Sequence, residues 1–106
     1  MNRGDIYWVN LEPTRGSEIN KQRPCVVVSA TVINEVRRTV VVVPLSTSAK
    51  PRLPIVLNVH CLDRACTAVC DQIRTVDKSR LIKAAGQLSL KDLNLLDDCL
   101  RQVLAL

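Results

Sequence analysis

The sequence predicts a mainly β chain that ends in one amphipathic helix. Two observations carry most of that reading. Short β-branched runs alternate with Pro- and Gly-bearing breaks over the first three quarters of the chain, and the apolar spacing then changes from strand-like to helical after Ser89. A third observation bounds it. Val, Ile and Leu together supply 35 of the 106 residues, enough for a packed core and too many for a disordered chain.

Each element follows from local chemistry. Asp5 to Leu11 carries Ile, Tyr, Trp, Val and Leu and stops before Pro13 and Gly16, so it reads as a strand. Residues 13–22, PTRGSEINKQ, are polar and form a predicted loop of ten residues, long enough to suggest a functional role. Pro24 to Ala30 and Thr39 to Leu45 are apolar at successive positions, which predicts strands covered on both faces, as in a small barrel. A second loop, Ser46 to Leu53, brings hydroxyls, two cations and Pro51. Pro54 introduces a shorter strand over Ile55 to Val59, and Thr67 to Val76 reads as another. Leu90, Leu93, Leu96, Leu100, Val103 and Leu104 then recur at three- and four-residue spacing. Ser89 followed by Asp92 resembles a capping box with Asp in place of Glu.

Composition excludes several function classes. No apolar run approaches the roughly 20 residues of a membrane-spanning helix, and MNRGDIYW lacks the apolar stretch of a secretory signal, so a soluble cytoplasmic domain is expected. Phe is absent, and Tyr7 and Trp8 are the only members of the Phe, Trp and Tyr group, which disfavours the aromatic platforms that stack single-stranded bases. Lys and Arg exceed Asp and Glu by 15 to 10, and the whole excess of +5 falls within residues 13–52. A basic segment of that kind suits a polyanionic partner, or serves only as a solvated face.

Cys25, Cys61, Cys66, Cys70 and Cys99 are odd in number and contain no CxxC pair, which argues against a disulfide framework. His60, Cys61, Cys66 and Cys70 form the one metal-like grouping, and their spacing fits zinc patterns poorly. Cys70, within TAVCDQI, reads as an apolar filler in a strand. Three scattered glycines cannot build a phosphate-cradling loop, and GxSxG is absent. What remains is a pair of loops, one ending at Arg23-Pro24 and the other beginning at Ser46-Thr47. Brought together by neighbouring strands, they would set a planar guanidinium beside two hydroxyls, a phosphodiester-binding arrangement.

Four segments in order, RGDIYWVNLEPTRGSE (3–18), RPCVVVS (23–29), VVPLST (42–47) and DQIRTVDKSRL (71–81), resemble the MazF/PemK family of toxin endoribonucleases. The resemblance implies a small SH3-like barrel of the MazF/PemK/CcdB type spanning residues 1–106, with the barrel over about 3–85 and the helix over about 89–105. It also implies a homodimer that cuts single-stranded mRNA at a short sequence, needs no metal or cofactor, and is held by a cognate MazE-like antitoxin. In that family the RNA's own 2′-hydroxyl attacks the adjacent phosphate, leaving a 2′,3′-cyclic phosphate and a 5′-hydroxyl.

The resemblance places the catalytic arginine on Arg23 and the second catalytic residue on Ser46, with Thr47 beside it. The family's usual threonine is a serine here, so either hydroxyl is a candidate. Glu18, Lys21, Lys50 and Gln72 are candidates for substrate binding, Gln72 as a strand residue facing the groove. Ile19-Asn20-Lys21 stands where the family has Gln-x-Gly, which should stiffen the loop. The structural alternatives are an Arg23 paired with Glu18 or Asp71, and a Ser46 and Thr47 that only cap a turn. Two other functions remain compatible: a gyrase-poisoning toxin on the same fold, and a member that binds RNA or antitoxin without cutting.

Overall fold

A computed structural model of the 106-residue chain describes residues 1–12 and 22–106. The loop candidates Glu18 and Lys21 lie outside the described residues. Among the described residues, seven strands form one antiparallel sheet: β1 (Asp5–Asn10), β2 (Gln22–Val27), β3 (Thr39–Ser46), β4 (Val56–Cys61), β5 (Arg64–Val69), β6 (Arg74–Asp77) and β7 (Leu81–Gln87). The hydrogen-bonded order is β4-β5-β3-β2-β1-β7, with β6 beside β3. The sheet curls into a barrel-like form but stays open, because its end strands β4 and β7 do not pair with each other.

β3 organises the sheet. One edge pairs with β2 over Val42 to Pro44. The other edge pairs with β6 over Thr39 to Val42 and then with β5 at Leu45 and Ser46. Pro44, which has no N–H to donate, falls in the gap where that second edge changes partner. The apolar runs are covered on both sides as expected. Val26, Val43 and Leu45 join a core with the C-terminal helix, while Cys25, Val27, Val40 and Val42 join a second cluster with Val9, Leu11 and Val76.

The helix α2 (Leu90–Leu104) buries Leu96, Cys99 and Leu100 against the larger core. Ser89 accepts the Asp92 N–H at 3.1 Å, as the capping pattern predicts. The Asp92 carboxylate does not complete the box. It accepts the backbone N–H of His60 on β4 at 2.9 Å instead, pinning the helix start to the sheet. Gly4, at φ +96°, permits the same packing from the other side, since a Cβ there would sit 3.2 Å from a Leu93 methyl.

The structure departs from the sequence reading in three places and adds detail in one, the strand at residues 81–87. A short helix, α1 (Thr31–Val36), links β2 to β3. Its β-branched residues carry little helix propensity, and it is held by buried Asn34, whose amide donates to the Ser29 carbonyl at 2.9 Å. The predicted strand Thr67–Val76 is broken by a 3-10 turn at Cys70–Gln72, so Cys70 fills the core from a turn and not from a strand. Residues 81–87, read from sequence only as part of the barrel, form β7 against β1. Cys61 and Cys66 are joined as a disulfide, against the expectation from the odd cysteine count, while Cys25, Cys70 and Cys99 are free and buried. The pairing arises because the β4–β5 hairpin folds the two cysteines to a Cα separation of 6.4 Å, a proximity that spacing alone does not reveal.

Candidate nucleic-acid cleft

The site is built where β2 begins and β3 ends. Cys25 pairs with Pro44, and carrying that antiparallel register two residues further sets Arg23 opposite Ser46. The strands thus do what the sequence required of them: they bring the Arg23-Pro24 and Ser46-Thr47 segments together. All four residues line one cleft of about 370 Å³, within the range of small-ligand sites. Trp8, paired with Pro24 on β1, and Gln22 form one side, and the tip of the β4–β5 hairpin forms the other through Cys61, Leu62, Arg64 and Cys66. Leu45 completes the lining.

The two hydroxyls differ. Ser46 is 5% exposed, and its Oγ accepts the backbone N–H groups of Ser48 at 3.1 Å and Ala49 at 3.2 Å. Its acceptor capacity is therefore spent on the turn, and what it retains is its own hydrogen, with Ser48 Oγ 3.3 Å away. The turn is itself tied to β5, because the Thr67 hydroxyl donates to the Ser46 carbonyl at 3.0 Å. Ser46 is thus a turn cap and, by the same bonds, an oriented donor. Thr47 is exposed on the rim of the cleft.

Arg23 forms no ion pair with any described carboxylate, Asp71 included. Among the described lining residues there are two cations, Arg23 and Arg64, and no carboxylate, so the cleft presents positive charge to whatever enters it. Cys25, two residues from Arg23, is no nucleophile: burial pushes its thiol up to about 12, although the Arg74 and Arg23 guanidiniums partly oppose that.

Lys50 is exposed on the loop after β3, and Gln72 is half-buried in the 3-10 turn between β5 and β6, not in a strand. Neither is among the described residues lining the cleft. The basic segment is also divided. Arg37 and Arg38 precede β3 and lie a whole strand away from Ser46, eight residues at about 3.3 Å each.

A family model for PemK-like, MazF-like toxins of type II toxin–antitoxin systems matches residues 2–104. The chain belongs to the PemK/MazF toxin family. Endoribonuclease MazF9 of Mycobacterium tuberculosis is 36% identical over 110 residues, covering 95% of this chain and 93% of that protein. Endoribonuclease EndoA of Bacillus subtilis is 30% identical, covering 100% and 96%. In fold, the chain is similar to crystalline MazF of Deinococcus radiodurans, with a TM-score of 0.89 at 23% identity over 100% and 97% of the two chains. It is also similar to a mycobacterial endoribonuclease solved with its cognate antitoxin, with a TM-score of 0.85 at 22% identity over 100% and 96%.

Within this PemK/MazF-type cleft, Arg64 and Leu62 are contributors that the sequence reading missed. Their segment drew attention only as a possible metal grouping, yet among the described residues no cluster of three His, Cys, Asp or Glu side chains converges. The signal available was the two-residue spacing of a hairpin turn, Leu62-Asp63, hidden because leucine is not a usual turn former and no glycine follows the aspartate. Both adopt positive φ, 53° and 60°. For a leucine that conformation costs on the order of 1 kcal/mol or more and persists only where its surroundings impose it.

Proposed function

We propose that this chain is the toxin of a toxin–antitoxin pair, and that it acts as a sequence-specific endoribonuclease on single-stranded mRNA, blocking translation. The observation that carries the reading is the meeting of Arg23 and Ser46 in one cleft whose described lining holds two guanidiniums and no carboxylate. Such a site takes a phosphodiester and disfavours a cation, while its apolar lining at Trp8, Pro24, Leu45 and Leu62 suits the base that the phosphodiester carries.

The chemistry follows from the residues. The substrate brings its own nucleophile, the 2′-hydroxyl, so the protein need only align that oxygen with the adjacent phosphorus and stabilise the charge that develops. Arg23 holds the nonbridging oxygens with its planar fork and stabilises the pentacoordinate transition state. Ser46, its lone pairs already committed to Ser48 and Ala49, donates its hydrogen to a phosphate oxygen. Thr47 adds a second hydroxyl at the rim. The bond from phosphorus to the 5′-oxygen breaks as the bond to the 2′-oxygen forms. The proton lost by the 2′-hydroxyl is matched by one gained at the leaving 5′-oxygen, giving a 2′,3′-cyclic phosphate and a 5′-hydroxyl. No step calls for a metal. Half-buried Trp8 offers a face on which one base can stack. Glu18, Lys21, Lys50 and Gln72 serve substrate binding, Lys50 and Gln72 from outside the described lining of the cleft.

The active form is a homodimer inside the cell. Its antitoxin supplies an acidic segment that occupies the same positively charged cleft and folds on binding. The test is incubation of the purified protein with a long single-stranded RNA in excess EDTA, with Arg23→Ala alongside and the fragment ends typed. Discrete cuts leaving 5′-hydroxyl ends, absent in the variant, are expected. No cutting by folded protein on several RNAs overturns the reading.

A further inference from the structure

We propose that Arg64 is a second phosphate-binding residue of the cleft, holding the phosphate one nucleotide away from the scissile linkage. The inference rests on the RNA-cleaving reading and adds a contact at the far wall of the same cleft.

Charge provides the first argument. One scissile phosphate is served by Arg23 and a hydroxyl donor. A second guanidinium lines the same cleft, with no carboxylate among the described lining residues, so a second anion entering there is attracted to it. A single-stranded RNA delivers anions at every linkage, so a strand seated with one phosphate on Arg23 carries its next phosphate along the cleft.

Availability provides the second. The exposed Arg64 side chain has no hydrogen-bond or ion-pair partner among the described residues, although Asp63 adjoins it in sequence. Arginines with a structural task in this fold look different. The Arg3 guanidinium binds the Asp97 carboxylate and donates through Nε to the Val28 carbonyl at 2.8 Å. Arg80 donates to the carbonyls of Asn10 and Glu12.

Positioning provides the third. Arg64 is the first residue of β5, directly across from Cys61 of β4. The Cys61–Cys66 disulfide spans the base of this turn, and both cysteines line the cleft. With Leu62 and Asp63 both in the left-handed region, the turn is a tight two-residue connection that leaves Arg64 little freedom of backbone position. A flexible surface arginine needs none of this support. One that must meet a phosphate at a set distance from Arg23 does.

The experiment uses the intact protein and an RNA oligonucleotide spanning a mapped cleavage site, with a 2′-deoxy sugar at the attacking position so that it binds uncut. Arg64→Gln should weaken binding about tenfold. Its plot of log affinity against log salt should be shallower by about 0.7, the loss of one single-strand phosphate contact. In cleavage of the all-ribo RNA the loss should fall on KM. A neutral methylphosphonate at the flanking linkage should cost the wild type a similar tenfold factor and cost Arg64→Gln nothing further. Arg64→Lys, which keeps the charge, should keep the salt slope and the flanking sensitivity, and it carries the test if the glutamine variant fails to fold. A wild-type slope in Arg64→Gln, an equal methylphosphonate penalty in both proteins, or loss of the slope in a folded Arg64→Lys overturns the proposal while wild-type cleavage leaves the ribonuclease reading standing. Failure of the wild type to cut or bind any RNA overturns both.

Discussion

The helix-covered face and the cleft use the same residue types to opposite ends. Beneath α2, polar groups are matched internally: Arg3 is spent on Asp97 and the Val28 carbonyl, and Asp92 on the Ser89–His60 junction; in α1, Asn34 is likewise spent on the Ser29 carbonyl. Among the described residues no buried side-chain nitrogen or oxygen lacks a partner. At the cleft the accounting is left open. Arg23 and Arg64 pair with no described carboxylate, and the Ser46 hydrogen has only the long 3.3 Å contact to the Ser48 Oγ. Surplus hydrogen-bonding capacity on a well-braced backbone separates the cleft from the helix-covered face.

The sharpest way to break that contrast is to remove one arginine from each region. Arg23→Ala should lower RNA cleavage roughly 10³-fold, about 4 kcal/mol of transition-state stabilisation, with the melting temperature little changed. Arg3→Ala should do the reverse, costing about 2 kcal/mol of stability while the folded fraction keeps cutting. Single-turnover cleavage and thermal melts on both proteins decide it, and a swap of the two phenotypes would sink the comparison.

Leu96, fully buried under the helix, tests the supporting face alone. Leu96→Ala should destabilise the protein by about 3 kcal/mol, read by urea denaturation, through lost burial and a residual cavity. RNA affinity at low temperature should stay within about twofold of wild type, since Leu96 is not among the described residues lining the cleft.

A finer contrast lies within the cleft, between its two hydroxyls. Ser46→Ala should reduce cleavage roughly 10²-fold and also cost about 1 kcal/mol of stability, because the Ser48 and Ala49 N–H groups lose their acceptor. Ser46→Thr should restore most of both. Thr47→Ala should cost cleavage less than Ser46→Ala. A larger loss at Thr47, measured in the same assay, transfers the donor role to that residue.

The smallest effects concern the thiols. Burial pushes Cys25 and Cys70 up to about 12, with the neighbouring Cys99 adding to the shift at Cys70. Their folded pKa values lie above the ordinary 9.0, so the associated stability is fully present below pH 9 and drains away as pH rises from about 9 towards 12. Native protein treated with iodoacetamide at pH 8 should leave Cys25, Cys70 and Cys99 unmodified. Unfolded without reductant, three of the five cysteines should react, and with reductant all five. Mass spectrometry counts them, and five adducts without reductant would show that Cys61 and Cys66 are not joined.

Periodicity and punctuation in the sequence were sufficient for the strand-rich class, the two-sided burial of the β2 and β3 runs and the capped C-terminal helix, because those features depend on residues close together in the chain. That the Arg23 and Ser46-Thr47 segments share a cleft was legible as a possibility, and motif order made it specific. The remainder depended on contacts between distant segments. The α1 turn exists because Asn34 finds its partner at Ser29 against the preference of its own valines, and the Cys70 turn exists because β3 changes partner from β6 to β5. The disulfide and the placement of Arg64 require knowing that Leu62-Asp63 folds back in the left-handed region, a conformation no local propensity favours for leucine. The sequence by itself determined which surfaces would be buried and which side chains had the chemistry for a phosphodiester. Tertiary structure alone decided which of those side chains share a cleft and which are satisfied elsewhere, since hydrogen-bonding capacity is a property of the residue and its surplus is a property of the fold.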